Sequence, residues 1–95
     1  MKNVLITGAT GGIGSKLVET YIKNDYRVCA LGTNSKKLSL LDETYKENIK
    51  TYSCDMSSSE EIYSTFDNII GDFSHIDILI NNAGITKDNL SIRMK

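Results

Sequence analysis

The 95-residue sequence predicts an α/β fold: a parallel sheet of strand order 3-2-1-4 with helices on both faces. Three observations carry that expectation. Apolar runs of strand character alternate four times with segments of helical periodicity, a pattern that calls for parallel strands joined by right-handed crossovers. The first run, residues 2–7, passes directly into Gly8, Ala9, Thr10, Gly11, Gly12, Ile13 and Gly14, and then into an amphipathic segment. The unit over residues 4–31 has the length of one strand–helix–strand motif.

Taken in order, the first helix is predicted over residues 12–23. Ile13, Leu17, Val18, Tyr21 and Ile22 share one face, and Lys16, Glu19, Thr20 and Lys23 fill the other. Asn24 and Asp25 signal a turn. Residues 27–31 form a mostly apolar strand of central-sheet character that ends at Gly32. Ser35 or Asn34 caps a shorter second helix, with Leu38, Leu41 and Tyr45 along one side. Residues 49–53 make the third strand. Ser58 and Glu61 stand at capping-box spacing at the head of a third helix. Its apolar face runs through Ile62, Phe66, Ile69, Ile70 and Phe73, and Gly71 within it costs up to about 1 kcal/mol relative to alanine. The fourth strand, residues 76–80, is nearly all apolar and is expected to be covered on both faces, with its outer edge open. Residues 85–95 read as a loop and the first turn of another helix. In the order 3-2-1-4 the first two helices share one face of the sheet and the third lies on the other. The reversal between strands 1 and 4 opens a crevice at their carboxyl ends, where the glycine stretch and Asn81-Asn82-Ala83-Gly84 both fall. The expectation is therefore a Rossmann-type sheet, truncated after strand 4, forming part of a dinucleotide-binding domain over residues 1–95.

The composition is that of one small soluble domain, 40% hydrophobic and 24% charged. A net charge of −1 offers nothing to a nucleic acid or an anionic membrane surface. The first apolar run, residues 4–6, is far shorter than the roughly seven residues of a signal-peptide core, and a cytoplasmic location is expected. Cys29 and Cys54 match no metal or redox spacing and read as small core residues. His75, the single histidine, reads as a surface residue in a turn.

A buried strand running through glycines into a helix N-terminus holds phosphate well. The glycines allow close backbone approach, and the free N–H groups of the first helical turn point at the anion. A tight turn that uses glycine for packing alone is the alternative. A P-loop is excluded, because Ser15-Lys16 reverses the order that such a loop requires.

The spacing Thr7-Gly8-x-x-x-Gly12-x-Gly14 resembles the glycine loop of the short-chain dehydrogenase/reductase family. Asn81-Asn82-Ala83-Gly84 resembles that family's motif after the fourth strand, and Cys54-Asp55-Met56 its aspartate after the third. The three stand in the family's order and spacing, and the resemblance covers the whole chain. Residues 77–90, with Arg93, Met94 and Lys95, look most like the branch that reduces 3-oxoacyl groups on acyl carrier protein in fatty acid synthesis. The resemblance implies that Gly8, Ala9, Thr10 and Gly11 wrap the adenosine and phosphate side of a dinucleotide. It places Ile13 and Gly14 at the pyrophosphate, Asp55 and Met56 against the adenine, and Asn82 near the nicotinamide ribose. Read without it, the alternative for Asp55 is a helix-entry or turn aspartate, and for the asparagine pair a turn.

Charge bears on the choice of cofactor. An NAD site places a carboxylate about 20 residues after the glycines. That window holds Gly32, Thr33 and Asn34, with Thr33 able to donate a hydrogen bond and Lys36 and Lys37 near. NADP(H) is therefore expected over NAD(H), although Gly11 stands where many NADP-dependent members carry a basic residue, and the lysine pair also reads as a solvated helix face.

The family's chemistry uses a serine and a Tyr-x-x-x-Lys pair downstream of the asparagine motif. Tyr21, Tyr26, Tyr45, Tyr52 and Tyr63 are followed four places on by Asp25, Ala30, Ile49, Met56 and Asp67, so no such pair occurs in these 95 residues. Two readings follow: the cofactor-binding portion of a reductase, inactive alone, or a non-catalytic nucleotide-binding module working with a partner chain. The open edge of strand 4 suits a complementing chain or self-association.

Overall fold

β1 (Asn3–Ile6) is buried along its whole length and forms the axis of the molecule. The computed structural model describes residues 1–82. Ala83, Gly84 and the loop and helix expected over residues 85–95 lie outside the described residues. After β1 come α1 (Gly12–Lys23), β2 (Arg27–Gly32), α2 (Ser35–Tyr45), a 3-10 turn (Lys46–Asn48), β3 (Ile49–Ser53), α3 (Ser59–Phe73) and β4 (Ile78–Ile80). The strands pair in parallel in the order β3-β2-β1-β4, as the alternation predicts.

The two-residue period of β1 divides the core. Val4 and Ile6 pack with Val18, Val28, Ala30 and Ile49 under α1 and α2. Leu5 faces the other way and joins Cys29, Leu31, Cys54, Ile62, Phe66, Ile69 and Phe73 under α3. Both cysteines are buried free thiols, as expected. Each large aliphatic or aromatic side chain in these layers contributes roughly 1.5–3 kcal/mol by leaving water. None of the helices among the described residues is long and apolar enough to cross a membrane.

The structure corrects the strand limits. β1 is shorter than residues 2–7, with Lys2 exposed and Thr7 opening the turn. β4 begins at Ile78, two residues later than the apolar run suggests. Ile76 instead packs against the α3-side core. Asp77 is clipped to the start of β1: its N–H donates to the Asn3 carbonyl at 2.9 Å, and its Oδ2 accepts from the Asn3 N–H at 2.8 Å. The Asn3 carboxamide donates to the carbonyls of Phe73 (3.3 Å) and His75 (2.8 Å), so one residue ties β1 to the whole α3–β4 connection. His75 is largely exposed and lies 3.3 Å from Asp77.

β4 is also not covered on both faces. α3 packs over residues of β1 and β2, and Leu79, the register partner of Leu5, remains 37% exposed. Ile78 and Ile80, on the opposite face, lean against the α1-side core. The capping box at α3 is half formed. Ser58 Oγ accepts from the Glu61 N–H at 3.3 Å, but the Glu61 carboxylate accepts from the Asp55 N–H at 3.1 Å. The Ser58 N–H already donates to the Asp55 carbonyl, so it leaves the glutamate no donor at the cap.

Candidate functional site

The carboxyl ends of β1, β2 and β4 meet at the glycine loop. Gly8 turns the chain out of β1 with φ of 63°, a conformation that side chains disfavour. The next residues bind back to the sheet: the Ala9 N–H donates to the Leu31 carbonyl at 2.9 Å, and the Gly11 N–H to the Gly8 carbonyl at 3.2 Å. Asn82 closes the loop from β4 by donating its carboxamide N–H to the Gly8 carbonyl at 3.2 Å. The Thr7 N–H donates to the Ile80 carbonyl at 3.1 Å, and the Thr7 hydroxyl lies 3.3 Å from Asn81 Oδ1.

α1 begins hard against this loop. A Cβ on Gly14 would stand 2.0 Å from the Gly8 carbonyl oxygen, so only glycine lets helix and loop approach this closely. Gly12 is the opposite case: a Cβ there meets nothing within 4 Å. The first intrahelical bond runs from the Ser15 N–H to the Gly11 carbonyl, which leaves the N–H groups of Gly12, Ile13 and Gly14 outside the helix ladder. Gly11, at the N-cap, offers no side-chain acceptor, and the first turn carries no acid. α2 and α3 differ, since Asn34 accepts from the Lys37 N–H and Ser58 from the Glu61 N–H. Among the described residues nothing claims these donors, and α1 offers them together with the positive end of its dipole, which suits an anion.

Two clefts flank the loop. The first, about 420 Å³, lies between Gly8 and Thr10 on one side and Gly32, Thr33, Asp55 and Met56 on the other. Its size falls in the range of small-molecule sites. The second, about 280 Å³, opens between the loop and α2. Thr10 lines both.

Of the residues singled out in the sequence, Gly8, Thr10, Thr33, Asp55 and Met56 come together in the first cleft. Ala9 and Gly11 border the second, although Ala9 is itself fully buried. Ile13 is 72% exposed at the head of α1. Ile13, Gly14 and Asn82 line neither cleft; Gly14 and Asn82 shape the loop from behind and below. Asp55 has a structural engagement as well. Its Oδ1 accepts from the Ser57 hydroxyl at 2.6 Å and from the Ser57 N–H at 3.0 Å, and these bonds hold its carboxyl below the usual carboxylate range. It therefore offers an anionic acceptor at the cleft wall.

Sequence reasoning did not assign Gly32, Cys54 or Ser57 to the first cleft, nor Ser15, Leu40 and Leu41 to the second. Gly32 had a signal, a glycine closing an apolar strand. A Cβ there would lie 2.9 Å from Thr10 Cγ2, so this glycine seats Thr10 at the rim. Cys54 had none, and burial pushes its thiol above the usual range, which keeps it a neutral wall atom.

Comparison with known proteins places the fold in a family. A family model described as short chain dehydrogenase matches residues 2–95. The 3-oxoacyl-[acyl-carrier-protein] reductase FabG of Rickettsia typhi is 46% identical over 94 residues, taking in 99% of this chain and 37% of that reductase. Among solved structures, NAD+-bound xylitol dehydrogenase superposes with a TM-score of 0.81 at 32% identity, over 88% of this chain and 34% of that one. ElxO with NADP bound gives 0.77 at 28% identity, over 97% of this chain and 42% of its own. The chain thus spans well under half the length of these relatives.

Proposed function

This chain belongs to the short-chain dehydrogenase/reductase family, and we propose that it is the part of an NADP(H)-dependent oxidoreductase that grips the adenosine and pyrophosphate of the cofactor. The head of α1 carries this reading: three N–H groups outside the ladder, no cap, no acid, and open space at Gly12. In it, Gly8, Ala9, Thr10 and Gly11 wrap the adenosine and phosphate side, while Ile13 and Gly14 meet the pyrophosphate. Asp55 accepts from the adenine amino group and Met56 flanks the ring. Thr33 donates to the ribose, and Asn82 supports the floor toward the nicotinamide ribose. NADP(H) is favoured because no carboxylate closes β2 at Gly32, Thr33 or Asn34; of the two solved relatives, one holds NADP and the other NAD+.

When bound, the nicotinamide supplies the hydride chemistry; the residues of this chain bind and orient. By likeness to the reductase relatives, the substrate of the whole protein is a 3-oxoacyl thioester. With no Tyr-x-x-x-Lys pair among the 95 residues, the proton transfer that accompanies reduction falls to residues outside them, and these residues alone are inactive. The reading carries two further expectations. The location is cytoplasmic, consistent with two buried free thiols. A further α/β chain segment, or a second copy, pairs with the β4 edge beside exposed Leu79.

Titration with NADPH, followed by its fluorescence, tests the site. The protein is expected to bind, and Gly12→Val to abolish binding while leaving the thermal melt in place, since a Cβ there meets no atom of the described residues within 4 Å and the side chain takes space that the proposed phosphate needs. No binding at millimolar NADPH, or undiminished binding by Gly12→Val, overturns the reading. NADPH oxidation with a 3-oxoacyl substrate by the purified chain overturns the assignment of catalysis to residues elsewhere.

A further inference from the structure

Asp55 is exposed, yet most of its polar atoms are engaged. Cys54, just before it, is fully buried, and the Cys54 N–H donates to the Gly32 carbonyl at 3.0 Å, which fastens the chain leaving β3 to the end of β2. The Asp55 N–H donates to the Glu61 carboxylate at 3.1 Å, and the Asp55 carbonyl accepts from the Ser58 N–H at 3.0 Å. Among the described residues one neighbour alone holds the side chain. Oδ1 accepts from the Ser57 hydroxyl at 2.6 Å and from the Ser57 N–H at 3.0 Å, and no hydrogen bond claims Oδ2. Ser57 stands with Asp55 and Met56 in the lining of the first cleft.

An exposed carboxylate left to itself samples several rotamers, and ordering it subtracts from the affinity of any ligand that uses it. Here that ordering is done in advance. The 2.6 Å bond has the short length of a hydroxyl donating to an ionised carboxylate. It keeps Asp55 charged, with the Ser57 hydroxyl the larger cause and the Ser57 N–H the second. With the backbone tied to β2 and α3 and one oxygen engaged, the other oxygen keeps a single bearing at the cleft wall. An ionised carboxylate presents acceptors only. Oδ2 therefore favours a ligand group that donates and disfavours an acceptor in the same place.

We propose that Ser57 is the positioning residue for base selection: by holding Oδ1 of Asp55 it leaves Oδ2 as a fixed acceptor that tells an exocyclic amino group from an oxo group on the base. This rests on the dinucleotide reading, in which the base lies against Asp55 and Met56. An adenine donates its 6-amino N–H to Oδ2. A hypoxanthine carries an oxygen at that position, and two acceptors then face each other with no proton between them. Ser57 acts through Asp55 and needs no contact with the cofactor.

Fluorescence titration with NADPH and with its deamino analogue, which carries oxygen in place of the amino group at C6 of the base, tests this. NADPH is expected to bind about tenfold tighter, the lower end for one hydrogen bond to a charged group. Ser57→Ala narrows that ratio to about threefold while the thermal melt stays in place, and Ser57→Thr, which keeps a hydroxyl, retains the full ratio. Ser59→Ala, two residues on and outside both clefts, also retains it. A parent that binds the two cofactors equally overturns the assignment, as does a ratio that survives Ser57→Ala or falls as far in Ser57→Thr. Failure of the parent to bind NADPH at all overturns the dinucleotide reading itself, and this inference with it.

Discussion

Gly14→Ala is a severe test of how the loop is built. The new Cβ would stand 2.0 Å from the Gly8 carbonyl oxygen and 2.8 Å from both Gly8 C and Ala9 Cα, all backbone atoms. A tolerable carbon–oxygen contact needs about 3.3 Å, so helix and loop must part by more than an ångström. The loop cannot yield cheaply. The Gly8 carbonyl accepts from the Gly11 N–H and from Asn82, and the flanking Thr7 and Ala9 N–H groups are bonded to Ile80 and Leu31. Overpacking of this kind costs about 1–3 kcal/mol, and a broken loop bond adds roughly 0.5–1.5 kcal/mol. The gain in helix propensity returns up to about 1 kcal/mol. The net expectation is a loss of about 2 kcal/mol, which for a domain of this length lowers Tm by roughly 8–16 °C. Gly12→Ala, two residues away, meets nothing within 4 Å and is expected to be neutral or to gain up to about 1 kcal/mol. Thermal and urea unfolding followed by far-UV circular dichroism measures both. A Gly14→Ala protein that melts with the parent, or a Gly12→Ala protein that loses as much, refutes the reasoning.

Asp77 governs an acid-sensitive joint. The Asn3 N–H, with His75 beside it, holds its carboxyl below the usual range, so it adds stability that is present above the unfolded value near 3.9 and is lost as pH falls through the lower folded value. Asp77→Asn should flatten the loss of stability below about pH 4; an unchanged acid limb in urea midpoints would count against this. At the β4 edge, sedimentation of the isolated chain should show association that Leu79→Lys reduces, since charge on an edge strand opposes pairing. A parent chain that sediments as a single monomeric species removes the case for that contact.

Most of the scaffold was legible because its signals are local. The helical period set α1 at Gly12–Lys23, Ser58 announced α3, and of the two candidates for the α2 cap, Ser35 and Asn34, the structure uses Asn34. Parallel pairing followed from alternation and handedness, and the order β3-β2-β1-β4 is that of the dinucleotide-binding fold to which the glycine stretch pointed. What was hidden depends on contacts distant in sequence. The exposure of Leu79 reflects where α3 comes to rest, which the apolar run of β4 cannot disclose. The diversion of Glu61 to Asp55 depends on Ser58 having already used its own N–H in the preceding turn. At the site, the family resemblance implied Gly8, Thr10, Asp55 and Met56, and the window after the glycines Thr33; their gathering is visible only in three dimensions. It could not separate the roles of three glycines in one loop. Gly8 supplies a left-handed turn, Gly14 a close approach, and Gly12 an opening. Nor could it tell that Lys37, and not Lys36, lines the second cleft, which helical rotation decides.

The bond from Asn82 to the Gly8 carbonyl spans 74 positions. Chain growth gives that distance a direction in time. The glycine loop leaves a ribosome 74 residues before the residue that fastens it, and β1 has no β4 beside it until then. Before that point the nascent chain holds its most glycine-rich stretch with only the β2 side in place. The loop is therefore early in synthesis and late in assembly, a long-range closure of the kind that slows folding. The first fourteen residues spell out the cradle, and its shape waits on the eighty-second.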